Sequence, residues 1–466
     1  MSRPLSEPEE QVVAFLARPG ATGLPAGVVA QAKRCILDLV AVAAGGFHTP
    51  QATIVRDYLL ADVGPRSKGP RVFFDGRRLT ATGAAWANST MIESLDAHDG
   101  HSMTKGHAGV AVLPAVIAAV EESESDLSGP ELLMIVVQGY ELALRAGLAL
   151  HATAPDYHSS GSWNSVACAI VAAQLLGCAS EAVLEAAGIA EYWGPRGPMM
   201  RCITAPSMVK DSSAWGCRVG VDAALLARRG FTGRPAELIN GPVGLGRESP
   251  EAAEAVRALW GDLGERWRIQ ELYFKPFPIC RWAQPAVEAV LRLRQDHAVS
   301  ASAVVGIDVG TFAQAVALDT CEPANTEEAQ YSLPYSVAAA LLAGRLGVAE
   351  VAGPALHDAE TVRLSHAVRL REVAGYSARF PAERLADVGL EMSDGTRIEL
   401  RGVSTRGDPG SPLGEEELGE KFRNFCEPLL GAVRTREIES AVARLDDDSA
   451  SAARLVELIV AGRPGS

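Results

Sequence analysis

Residues 131–150 read ELLMIVVQGYELALRAGLAL, an apolar run as long as a bilayer-crossing helix but broken by Gln138, Glu141 and Arg145. Three such groups exclude a lipid-facing span, because hydrocarbon would strand each of them without a partner. The run is therefore a helix buried in a protein core, and a helix apolar on nearly every face needs other helices packed around it. The neighbouring sequence supplies them. VVAQAKRCILDLVAVAAGG places Val28, Cys35, Leu39 and Val42 on one stripe and stops at Gly45-Gly46, as a helix with a glycine end does. Gly129-Pro130 opens the long apolar run with proline in the first turn, where helices tolerate it. Abundant alanine and glycine let such helices approach closely. The reading is a compact all-helical domain over residues 1–268.

The pattern changes beyond that point. VVGIDVGTF alternates Val305, Ile307 and Val309, and ADVGLEMSDGTRIELRGV gives two alternating runs around Asp394-Gly395, a hairpin signal. Helical segments such as PYSVAAALLAGRL lie between them, so residues 269–404 read as a smaller α+β domain. RGDPGSPLG is a turn-rich linker. EEELGEKFRNF and REIESAVARL then return to helical period, so residues 405–466 are expected to complete the first domain. The expected fold class is mainly α with a smaller α+β lid domain.

A formal net charge of −14 and a pI near 5.2 argue against nucleic acid or anionic membrane as partners, since both select basic surfaces. The eight cysteines form no CxxC pair, which fits reduced thiols of a cytoplasmic protein. MSRPLSEPEEQVVAFL lacks the cationic start and apolar core of a signal peptide.

Chemistry concentrates in four polar clusters, each beside an obligatorily buried run. SLDAHDGHSMTKGHAG packs Asp96, His98, Asp99, His101, Lys105 and His107 among small residues. A metal reading is permitted by the three-residue spacing of His98 and His101, but it matches no motif of defined helix geometry and ranks below the alternatives. DYHSSGSW sets His158 between a helical run and a Ser/Gly-rich turn. PSMVKDSSAWGC reads as a helix start at Pro206-Ser207, which puts Lys210 in the first turn, beside free backbone N–H groups suited to an anion. YFKPFPICRWAQPAVEAV presents Lys275, Cys280 and Arg281 at an extended entry to a helix.

In this order, LDAHDGH…GHAGVAVLPAVIAA, YHSSGS, MVK with a GFTG-terminated helix, FKPFPICRW and NTEEAQYSLPYSVAAALLAG resemble the MmgE/PrpD family along nearly the whole chain. That family includes 2-methylcitrate dehydratase, cis-aconitate decarboxylase and iminodisuccinate epimerase. The resemblance implies a large helical domain, a lid domain, a homodimer and an active site in the cleft between domains, with no cofactor and no metal. It implies acid–base chemistry next to a carboxylate, which suits histidine as proton carrier and lysine or arginine as carboxylate binders. Carried over by position, His107 and His158 move protons, Lys210, Lys275 and Arg281 bind carboxylates, and Asp96 orients a histidine. Tyr335 matches the tyrosine of the SxxY segment. Cys280 stands where the animal decarboxylase-like members have a histidine and Gln284 where many members place another, which weakens the case for cis-aconitate decarboxylation specifically and leaves His101 as a substitute. Gly100 replaces a second acid of the aspartate-rich segment. Cys280 as a nucleophile is the sharper reading, and a small packing residue the favoured one.

The expectation is a lyase or isomerase for a small di- or tricarboxylic acid, dehydration first, with decarboxylation and epimerisation as alternatives. The rivals from other classes are a metal-dependent hydrolase using Asp96, His98, Asp99 and His101, and a non-catalytic binding protein.

Overall fold

The computed structural model describes residues 3–463 apart from 22, 65, 155 and 243–248. The apolar run forms helix Gly129–Thr153, with Ser128 and Glu131 closing a capping box at its start. Among the described residues it is the one helix long and apolar enough to cross a membrane, and 94% of its apolar window is buried inside the protein. Its three polar interruptions tie other segments to it. Gln138 Nε2 donates to the carbonyls of Phe15 and Leu16 at 2.9 and 3.3 Å. Glu141 accepts from the backbone N–H groups of Arg268 and Ile269 and pairs with Arg145, which also reaches Asp262 at 2.7 Å. Buried polar groups are tolerated because each finds a partner.

Against this helix pack Ala26–Gly46, Gly109–Ser123, Gly161–Leu175 and Pro250–Gly261, and Ala81–Glu93, Ser180–Trp193 and Ser213–Ala227 form a further layer on those. The closest pair is Gly161–Leu175 against Ser213–Ala227, where small residues remove the side chains that would hold two helices apart. A Cβ on Gly220 would lie 2.5 Å from Cys168 Cβ and 2.6 Å from the Ser165 carbonyl oxygen. The C-terminal helix Glu415–Ala443, kinked at Gly431 (φ 75°), runs along Ala26–Gly46, and its Leu418, Phe422, Cys426 and Ile438 join the core of the helical layer.

A second core lies under a four-stranded sheet in the order Val368–Glu372, Val304–Thr311, Ala386–Met392, Arg397–Val403. The first pair is parallel and the others antiparallel. The hairpin expected at Asp394-Gly395 is present, with Gly395 at φ 87°. Helix Gln284–Asp296 covers the last two strands, burying Val287, Val290 and Leu293. One expected boundary moves. The helix read from Pro206 begins instead at Ser213, so Lys210 sits in a turn before it, at φ 52°.

The helix contact makes a stability prediction. Gly220→Val should cost about 1–3 kcal/mol through overpacking, seen as a lower thermal unfolding midpoint; an unchanged midpoint would show that the two helices separate freely.

Candidate active site

The loop 95–108 and the lid meet through short, specific contacts. Gly100 and His101 pair with Tyr273 and Leu272 in a two-stranded antiparallel ladder. Beyond it, Lys275 reaches back across the junction, donating to Asp96 Oδ1 at 2.5 Å and to the Asp96 carbonyl at 2.9 Å, with its side chain fully buried. From below, Lys421 of the C-terminal helix donates to the Ala97 carbonyl and to Asp38, both at 2.6 Å. These bonds hold Asp96 at φ 49°, a left-handed conformation that costs a non-glycine residue about 1–2 kcal/mol.

His107 ends this loop. Its Nδ1 lies 2.6 Å from the Asp99 carbonyl oxygen, and since a carbonyl only accepts, Nδ1 carries the proton and Nε2 is bare. Nε2 faces Asp96 at 3.9 Å, and the His98 ring packs edge-on at 4.4 Å. Burial, and next the charge of Lys275, push the His107 pKa down to about 4 against the opposing pull of Asp96 and Asp211. His107 is therefore a neutral base with its lone pair aimed into the site. Asp99 itself turns into the core, accepting from Tyr140 at 2.5 Å; burial and the neighbouring Asp38 raise its pKa to about 7.

Asp211 also faces His107. Burial raises the pKa of its partner Glu93, with Asp211 adding to the rise, while His107, Glu93, Ser160 and Ser213 together outweigh burial and hold Asp211 below its usual range. Within the pair, burial and Asp211 therefore favour the protonated form of Glu93 over that of Asp211. Glu93 also accepts from the Ser213 N–H at 2.7 Å, satisfying one of the free backbone donors at the start of helix Ser213–Ala227. Lys210, one residue before Asp211, is buried, donates to Gln330 of the lid and lies 5.4 Å from the Tyr331 ring centroid. A cavity of about 340 Å³, lined by Ser159, Arg201, Cys202, Val209 and Ser212, opens beside it.

Asp96, His107 and Lys275 therefore meet directly, Lys210 reaches the same loop through Gln330, whose Nε2 donates to the Ser94 carbonyl at 2.9 Å, and five other residues singled out in the sequence take different places. His158 points away, its Nδ1 on the Asp156 carbonyl at 2.8 Å, into a separate hollow with Glu191 and Arg196. The segment is extended, its backbone bridging to Pro198, so side chains alternate and Tyr157 turns inward instead, donating to the Lys105 carbonyl. Tyr335 donates to the Glu350 and Ala355 carbonyls, both at 2.9 Å, inside the lid core. Arg281 is taken up by Asp408 at 2.7 Å and by the Thr405 and Arg406 carbonyls, so it fastens the linker. Gln284 donates to the Phe277 and Ile279 carbonyls. His101 accepts from the Thr104 N–H and meets Glu271 at 3.0 Å, which leaves no ring nitrogen for a ligand.

Cys280 lines the site, but burial and then the charge of Asp96 push its thiol up to about 12. It is a packing residue, not a thiolate nucleophile. For the metal reading, Asp96, His98, Asp99 and His101 point to four different partners, and among the described residues no group of three or more potential ligands converges.

Tyr273, Gln330, Tyr331, Asp211, Glu93 and Arg384 stand in the same region and are singled out by no motif. Gln330 and Tyr331 lie in the same NTEEAQYSLPY run as Tyr335, where the SxxY pattern marks Tyr335 and the structure sets Tyr331 against Lys210. Gly100 held a further signal. A Cβ there would collide with the Tyr273 hydroxyl and lie 2.7 Å from His107 Nδ1, so the missing acid makes room for Tyr273 beside the base.

Residues 10–252 match the MmgE/PrpD N-terminal domain and residues 277–447 the MmgE/PrpD C-terminal domain. The chain belongs to the MmgE/PrpD family. It is similar to the cis-aconitate decarboxylase-like protein oryM of Aspergillus oryzae, at 25% identity over 94% of each chain. It is similar also to the cis-aconitate decarboxylases of Homo sapiens, 26% identical over 79% of this chain and 78% of the relative, and of Mus musculus, 25% over 90% and 87%. Like its MmgE/PrpD relatives, it is a lyase-type enzyme.

A pH prediction follows from the base. The folded pKa of His107 is depressed, so its neutral form persists down to about pH 4, and kcat/KM reports the free enzyme. The acid limb of kcat/KM should fall with a midpoint near 4; a limb centred at the ordinary histidine value of 6.5 would contradict the assignment.

Proposed function

We propose that this protein is a hydro-lyase for a small di- or tricarboxylic hydroxy acid, working by acid–base chemistry of its own side chains. The observation that carries the reading is His107, held neutral with Nε2 bare beside Asp96 and Lys275. In this reading Nε2 takes a proton from the carbon next to a carboxylate. The electron pair forms the carbon–carbon double bond as the hydroxyl departs from the adjacent carbon. Tyr331, whose phenol burial keeps protonated, gives the departing hydroxide its proton, so water leaves, and the proton on His107 returns to Tyr331 through solvent. Lys210 and Lys275 stabilise the charge that develops on the substrate carboxylate, where fixed cations act most strongly. Lys275 is also the cation that lowers the His107 pKa, so a bound anion beside it makes His107 a stronger base at the moment it is needed.

A second reading is supported by the names of the three relatives. Decarboxylation of cis-aconitate needs a proton delivered to carbon, and Tyr331 is the donor on hand. We further propose a homodimer in the cytoplasm. Met208 and Val209, just before Lys210, and Trp215 just after it are exposed apolar side chains, a patch that a second copy would cover beside the site, and the described cysteines are all unpaired. Sedimentation should give about twice 49.0 kDa; a species of that single mass would contradict the dimer.

The activity is tested by NMR in D₂O with 2-methylcitrate, citrate, cis-aconitate and iminodisuccinate. Expected is loss of water from a hydroxy acid, with His107→Asn slowing kcat by about 10²–10⁴-fold. Release of CO₂ from cis-aconitate alone would replace dehydration by the second reading, and no reaction or proton exchange with any of the four would contradict both.

A further inference from the structure

Eight lysine and arginine side chains are buried among the described residues: Arg56, Arg145, Lys210, Arg268, Lys275, Arg281, Arg384 and Lys421. Six of them lie within 4.0 Å of a carboxylate: Arg56 with Asp75, Arg145 with Glu141, Arg268 with Asp262, Lys275 with Asp96, Arg281 with Asp408 and Lys421 with Asp38. Among the described residues, Lys210 and Arg384 have none. A buried cation without a counter-charge is costly unless something else supplies the anion. Lys210 already stands in the site. Arg384 lies in the lid segment FPAERLADV, just before strand Ala386–Met392.

Only 4% of Arg384 is exposed. Nη1 donates to Ser102 Oγ at 2.8 Å, Nη2 reaches the Ser102 carbonyl at a long 3.5 Å, and Nε has no partner. The guanidinium lies 5.5 Å from the Tyr273 ring centroid and 5.9 Å from that of Phe380. Its charge bears on Tyr157, Tyr273 and Cys280, the same groups that line the site beside Asp96. We propose that Arg384 is the lid's carboxylate grip: it takes one carboxylate of the substrate while Lys210 takes another, so the ligand class is an acid with at least two separated carboxylates. The planar fork of arginine, with Nε free and Nη2 weakly held, suits a two-point grip that a lysine does not reproduce. Because the contact to Ser102 spans from lid to helical layer, ligand binding at Arg384 also draws the two sides together.

This inference rests on the polycarboxylate reading, and calorimetric titration of the full-length enzyme with tricarballylate and with acetate separates the two. Wild type should bind tricarballylate and not acetate. Arg384→Gln should bind tricarballylate about 10–100-fold more weakly, the range of a lost hydrogen bond to a charged group. Arg384→Lys should recover part of that loss. Ser102→Ala, which removes the protein contact but leaves the guanidinium, should bind within about threefold of wild type, since one neutral hydrogen bond contributes little net. Tight binding by wild type together with unchanged binding by Arg384→Gln would overturn the grip, as would a loss in Ser102→Ala as large as that in Arg384→Gln, the pattern of a purely structural arginine. If wild type binds no polycarboxylate, the proposed function fails and the grip with it. Should Arg384→Gln not fold, Arg384→Lys decides: wild-type affinity in that variant would overturn the proposal.

Discussion

The ion pair between Lys275 and Asp96 is the contact on which the site depends. It joins the first residues of the lid to the polar loop of the helical layer, and it is buried on both sides. Breaking such a pair from one side leaves an uncompensated charge, at a cost of about 3–5 kcal/mol, so the two parts of the chain are locked at this point. The same pair also sets the chemistry. Lys275 adds to burial in pushing the His107 pKa down, and Asp96 opposes it. One contact therefore positions the base and fixes its protonation state.

Support for that contact comes from far along the chain. Lys421 holds the Ala97 carbonyl, Tyr140 holds Asp99, and Glu93 holds the N–H of Ser213. Four residues of these two loops, Asp96, Lys105, Lys210 and Ser212, adopt positive φ without being glycine. Such conformations persist only where surroundings over-determine them, and here they aim Asp96 and Lys210 toward the cleft. The helical layer, with its polar groups stapling Gly129–Thr153 to its neighbours, provides the rigidity that this demands.

Much of this was legible in the sequence. The interrupted apolar run, the Asp394-Gly395 hairpin and the helical return after the linker follow from periodicity and turn chemistry, and all three are present. The order of the polar segments pointed to the family and to Asp96, His107, Lys210 and Lys275. His158, Tyr335, Arg281, Gln284 and His101 point away from Asp96 and His107, because side-chain direction is not a property of a motif. An extended backbone turns Tyr157 inward and His158 outward, and a carbonyl or carboxylate waiting elsewhere in the fold captures the other four. Arg384 and Tyr273 carry no local signal at all, since what marks them is the absence of a carboxylate partner in one case and the space above Gly100 in the other.

Nitrogen NMR of the enzyme labelled at histidine, with His107 assigned by loss of its signals in His107→Gln, tests the central claim most directly. The account predicts a neutral ring at pH 7 with the proton on Nδ1 and Nε2 bare, titrating near 4. A proton on Nε2, or titration near 6.5, would contradict it.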